Sequence, residues 1–300
     1  MKLSSGVSVR SAPRGRGRVA WLLLLFMVVV FAVGSSRHWF PAGLVGPIEY
    51  MAPPTSVILK EMLQVLIVLT ATLTIGALRG QSLAVYGLPL QQVLSRDFWS
   101  GAAWGLIMLS VTVALMAATH SYSPGPVALS AGDIIKFGLL WGIAFLLVGF
   151  AEELAFRGYL QYTLTMRIGF WPAAVVTSLF FAFAHRNNPG ENWTGMTNIV
   201  VIGMFACVAL RRTGSLWFPI GWHMAFDWGE SFLYSVANSG QMVGGRLFNA
   251  SINGKTWLGG GVVGPEATVF NVVVTLAGIA VLVVVYPQVR YGQVSHNTLE

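Results

Sequence analysis

Of 300 residues, 55% are hydrophobic and only 10% are charged, against roughly 25% charged in an average soluble domain, which excludes an ordinary soluble globular fold. The formal net charge of +7 comes without any basic run interleaved with stacking aromatics outside the apolar stretches, so it reads as membrane orientation and not as nucleic-acid binding. The single cysteine, Cys207, lies in an apolar stretch and excludes disulfide frameworks, CxxC redox pairs and thiolate zinc clusters.

In chain order, the first element is the basic segment "MKLSSGVSVRSAPRGRGR" running into "VAWLLLLFMVVVFAVG". The apolar run has signal-peptide length, but Trp21 opens it and many spans follow, so a retained signal anchor is expected over a cleaved leader. Windows able to cross roughly 30 Å of hydrocarbon then place helices near 19–35, 56–78, 99–119, 134–160, 171–186, 195–210, 216–236 and 266–286. The expected fold is all-α, a polytopic transmembrane helix bundle of about eight spans.

Alternate connections are basic: Arg10, Arg14, Arg16 and Arg18, then Arg79 and Arg96, Arg167, Arg211 and Arg212, and Arg290. All fall on one side if both termini are cytoplasmic, the orientation expected in a plasma (inner) membrane. On the other side "SYSPGP" at 121–126 and the glycine-rich 237–265 read as flexible loops. No fixed-period repeat, Walker motif or dinucleotide glycine pattern is present. The chain divides into an N-terminal part, 1–120, with the basic segment and more peripheral helices, and a transmembrane core, 121–300.

The fourth segment contains "LLVGFAEELAFRGYLQ". A charged side chain at mid-bilayer costs about 2.5–3.5 kcal/mol on insertion scales, so Glu152, Glu153 and Arg157 require partners or a task. Glu153 and Arg157 are four apart and can pair on one helical face, while Glu152 points about 100° away. A solvated cap of the fourth span is the plainer reading. If this helix runs on to a turn at Gly169, Glu152 lies 17 residues before the turn and His185 lies 16 after it, which puts carboxylate and imidazole at one depth of an antiparallel pair. His185 alone would be an ordinary interfacial histidine. In "GWHMAFDW", His223 and Asp227 are again four apart, a spacing used by metal sites and proton relays and also by a simple hydrogen bond within a helix core. Lys60 and Glu61, near the start of the second span, are expected to snorkel.

Together Glu152-Glu153-x-x-x-Arg157, Phe181-x-x-x-His185 and His223-x-x-x-Asp227, on successive helices across roughly 130–240, resemble the motif set of the CPBP intramembrane proteases, also called Abi or CAAX prenyl protease 2-like. The resemblance implies a CPBP-like catalytic core acting as a membrane endopeptidase, with membrane lipid around it and a hydrophobic or prenylated (CaaX-like) peptide or protein as substrate. It also implies Glu152 as the base that activates a water, with His185 beside it. His223 and Asp227 would stabilise the oxyanion or hold a metal, and Glu153 and Arg157 would orient these groups or hold the substrate's carboxyl end. Glu152, His185, His223 and Asp227 are adequate zinc ligands, yet a glutamate-activated water needs no metal. A proton-coupled transporter using the buried Glu and His residues, or a non-catalytic scaffold or immunity partner, are the competing readings.

Overall fold

The computed structural model describes residues 53–292, so the expected first span and the basic segment before it lie outside the described residues. Helix α1, Pro54–Arg79, has proline in its first turn and ends at Gly80, whose φ of 63° closes the helix in the left-handed region that glycine tolerates. Helix α2 is Arg96–Ala118, and α3 is Ala131–Glu153, capped by Ser130, whose hydroxyl accepts from the Asp133 amide. The rod does not stop at Glu153. It passes through a π-helical turn, Leu154–Leu160, into α4, Gln161–Ile168, and reverses at Gly169 with φ 83°. Helix α5, Phe170–His185, returns antiparallel, followed by α6, Trp193–Thr213, with Asn192 accepting from two amides at its N-terminus. Helix α7, Trp217–Trp228, also runs into a π-helical turn, Gly229–Leu233. A single turn α8, Thr256–Gly259, precedes the last helix, α9, Val269–Val285.

The protein is a helical membrane protein. Among the described residues α1, α2, the continuous 38-residue α3–α4 rod and α6 are long and apolar enough to cross a membrane. Helices α5 and α9, at 16 and 17 residues, are shorter apolar helices, and the expected span 216–236 is divided between α7 and its π turn. Leu66, Ile107, Ile135 and Val284 are exposed on these helices, as lipid-facing side chains are.

Close backbone approach sets the position of α7. A Cβ on Gly101 or Gly105 of α2 would run into the carbonyls of Phe218 and Trp222, and a Cβ on Gly221 would run into that of Phe98. The Gly101-x-x-x-Gly105 spacing is the small-residue seam by which membrane helices pack when burial from water cannot drive them together. On its other side α7 meets α3 at Gly149, where a Cβ would lie 3.3 Å from the His223 Cβ. The chain's two motif helices are thus clasped one turn from Glu153.

The two outer connections are tied together. Tyr122–Ser123 (β1) pairs antiparallel with Ser251–Ile252 (β2), and Ala128 and Asn249 donate to the carbonyls of Leu247 and Pro126 at 2.8 and 3.0 Å. The glycines predicted to loosen 237–265 instead allow tight turns and contacts: a Cβ on Gly240 would strike the Pro189 carbonyl.

Candidate active site

Glu153 and Arg157 straddle the junction between α3 and its π turn. Both are buried, and Arg157 Nη1 lies 3.2 Å from Glu153 Oε1. The Arg157 guanidinium is covered by the Phe181 ring at 4.1 Å and the Phe156 ring at 5.7 Å, which shield a charge whose Nε and Nη2 make no hydrogen bond among the described residues. Glu152 is turned away from this pair, as its helical phase requires, and keeps 27% of its side chain exposed.

His223 joins the two motif helices. Its Nδ1 lies 3.0 Å from Glu153 Oε1, and its Nε2 lies 3.5 Å from Asp227 Oδ2 and 3.7 Å from Glu152 Oε2. One imidazole therefore touches all three carboxylates that the spacing singled out. Both motif helices leave regular α geometry just beyond these carboxylates, a distortion that recurs at functional sites.

His185 stands differently from expectation. No hydrogen bond or ion pair joins it to Glu152 among the described residues. Its Nδ1 lies 2.8 Å from the Phe181 carbonyl, an arrangement in which Nδ1 carries the hydrogen and Nε2 is left as acceptor. The contact between the rod and α5 runs instead through Phe181, whose ring covers Arg157 and also packs on His185 of its own helix, with centroids 4.5 Å apart. Phe181 thereby links the Arg157 and His185 motifs through one ring and one carbonyl. Beside His185, burial raises the Glu191 carboxyl above its ordinary range, partly offset by a hydrogen bond from the Asn192 amide.

Residues 134–229, which contain all six of these side chains, match the family model described as type II CAAX prenyl endopeptidase Rce1-like. The chain carries an Rce1-like family domain. A search of curated proteins finds no significant match.

The Rce1-like domain is surrounded by further acids that spacing did not single out. Glu230, three residues after Asp227, is fully buried, and neither carboxylate oxygen has a hydrogen bond among the described residues. Its i+3 position on the Asp227 face was a usable signal. Glu266 had none, since it lies outside the matched segment. Its Oε2 accepts from the Ser239 amide at 2.7 Å and hydroxyl at 2.9 Å, and it lies within charge range of His185, His223 and Asp227. Glu61 of α1 is a correction: it does not snorkel but is 4% exposed. The rod α3 packs along α1 and encloses it, bringing it within charge range of Glu152.

Among the described residues no group of three or more His, Cys, Asp or Glu side chains is arranged to hold a metal ion. Each His223 nitrogen is turned to a carboxylate, so a zinc ion on His223 would have to replace one of those pairings, while His185 keeps Nε2 open.

Proposed function

We propose that this protein is an intramembrane endopeptidase that hydrolyses a peptide bond in a prenylated or otherwise hydrophobic, membrane-associated substrate. The observation that carries this reading is the meeting of Glu152, Glu153 and Asp227 on His223, within 3.0–3.7 Å. Glu152 is the one member with substantial exposure, and a carboxylate that reaches both protein and solvent suits the task of taking a proton from water. His185, with Nε2 free to accept, orients that water.

His223 and Asp227 stabilise the oxyanion of the tetrahedral intermediate. Glu153 holds the His223 ring through Nδ1, and Arg157 holds Glu153. Burial of Arg157 argues for this supporting task and against direct contact with substrate. Water activation by Glu152 does not call for zinc. The domain lies in the core 121–300, with about eight spans in all and both termini cytoplasmic in the plasma membrane, as the basic loops favour.

The test is cleavage of a farnesylated peptide by purified protein and by Glu152→Gln. Loss of cleavage with normal folding supports the assignment, and unchanged cleavage removes the proposed base.

A further inference from the structure

The corner of the bundle where α4, α5 and α6 meet holds positive charge that the candidate active site does not use. Arg167 lies in the last turn of α4 and is exposed, three residues before Phe170. Arg211, in the last turn of α6, lays its guanidinium over the two residues that open α5, 4.4 Å from the Phe170 ring centroid and 5.3 Å from that of Trp171. The C-terminal segment crosses this corner. The Arg290 and Tyr291 amides donate to the Arg211 carbonyl at 2.9 and 3.2 Å, and a Cβ on Gly292 would lie 3.5 Å from Arg211 Nη1. Arg212 is held by the same segment, its Nη1 donating to the Pro287 carbonyl at 2.6 Å. Arg211 is thus located by packing on two elements, where an arginine at a helix end ordinarily extends freely toward water.

These cations have no counter-charge within the protein. Arg211 Nη1 is out of solvent and makes no hydrogen bond among the described residues. No carboxylate pairs with Arg167, Arg211 or Arg212 among the described residues, and the only acid between Glu153 and Asp227 is Glu191, which precedes α6 at its opposite end. Asp97, at the start of α2, serves Arg290 and Arg96. The start of α5 has no side-chain cap, so its helix dipole adds to the positive field beside Arg211.

An apolar column leads away from this charge along α5. Trp171, Val175 and Leu179 are exposed at a spacing of four, which keeps them on one side of the helix. At 1.5 Å per residue the column runs about 12 Å, most of the roughly 15 Å depth of one leaflet.

We propose that this corner binds one anionic phospholipid, with its phosphodiester on Arg211, Arg167 and Arg212 adding attraction, and an acyl chain along Trp171, Val175 and Leu179. A planar guanidinium matches phosphate geometry, and the column continuing from it suits a lipid where a free phosphate would leave it uncovered. A choline or ethanolamine headgroup would bring a cation to a corner with no carboxylate to receive it, so the net charge of the lipid decides. The site does not depend on the endopeptidase reading. It would brace the hairpin between the rod that carries Arg157 and the helix that ends in His185.

The full chain, purified and delipidated in an uncharged detergent, is titrated with phosphatidylglycerol or with phosphatidylcholine of the same acyl chains, and bound lipid is counted by native mass spectrometry. Wild-type protein should bind phosphatidylglycerol roughly tenfold more tightly, the size of one charge-assisted contact. Arg211→Gln should bring the two lipids level. Arg167→Gln, at an exposed position, should reduce the preference about fivefold, one arginine's share of attraction near a membrane surface. Arg96→Gln, which removes an arginine beside Asp97, should leave the preference intact, and excess inorganic phosphate should not displace the lipid. Equal affinity for the two lipids, a preference that survives Arg211→Gln, an equal loss in Arg96→Gln, or displacement by inorganic phosphate overturns the proposal. Should Arg211→Gln fail to fold, an unchanged preference in Arg167→Gln overturns it instead.

Discussion

His223 Nδ1 stands 3.0 Å from Glu153 Oε1, the same oxygen that lies 3.2 Å from Arg157 Nη1. The second glutamate of the Glu-Glu pair is therefore a bracket between a buried guanidinium and an imidazole, and the first, Glu152, is left partly exposed. Adjacent carboxylates one helical step apart receive different tasks because the helix turns by about 100° between them.

Substitution of the two should accordingly give opposite profiles. Glu152→Gln should leave thermal stability in detergent near wild type while cleavage falls at least about 100-fold. Glu153→Gln should lose about 3 kcal/mol of stability, because it strands the Arg157 charge in a buried setting. Paired thermal-unfolding and cleavage measurements check both. A Glu153→Gln protein as stable as Glu152→Gln would remove the bracket.

Asp227 tests the oxyanion assignment. A side chain there helps only if it can offer a hydrogen to developing negative charge, and an amide does so without relying on a bound proton. Asp227→Asn should keep cleavage within about tenfold of wild type, whereas Asp227→Ala should lose on the order of 100-fold, as removal of an oxyanion donor does. Steady-state kinetics on one farnesylated peptide distinguish them. Equal loss in both would assign Asp227 to proton transfer instead.

Much of this site was legible because charge is expensive in an apolar helix. Glu152, Glu153, Arg157, His223 and Asp227 stood out by that cost, and spacing of four paired them correctly within their helices. The turn at Gly169 was legible as well, since glycine interrupts the hydrophobic run there. Two things were not. The π turns after Glu153 and Trp228 leave no mark in a hydropathy window, although they set where the chain goes beyond each motif. Glu266 comes from a connection whose path depends on the Asn238–Gln241 turn, where Ser239 adopts φ 46° and Gly240 φ 79°, and nothing in its local sequence ties it to His185.

The α2–α7 seam offers a stability prediction away from the chemistry. A methyl group on Gly221 meets the Phe98 carbonyl, which is backbone and cannot swing aside as a side chain would. Gly221→Ala should force the helices apart at a cost of about 1–3 kcal/mol. It should also reduce cleavage, because His223 sits two residues on. Gly132→Ala, where a Cβ meets nothing within 4 Å, is the control and should be neutral in both assays.

Chelation addresses the chemistry of the nucleophile. If Glu152 activates water unaided, protein dialysed exhaustively against a zinc chelator should retain wild-type kcat, and added zinc should not raise it. Each His223 nitrogen faces a carboxylate at 3.0 or 3.5 Å, so a zinc ion bound to His223 would have to displace one of those pairings. Such a rearrangement would register as a zinc-dependent gain in thermal stability. Complete loss of cleavage on chelation, restored by zinc together with that gain, would replace the glutamate mechanism by a metal-assisted one. Retained cleavage with no stability change would leave Glu152 as the group that takes the proton.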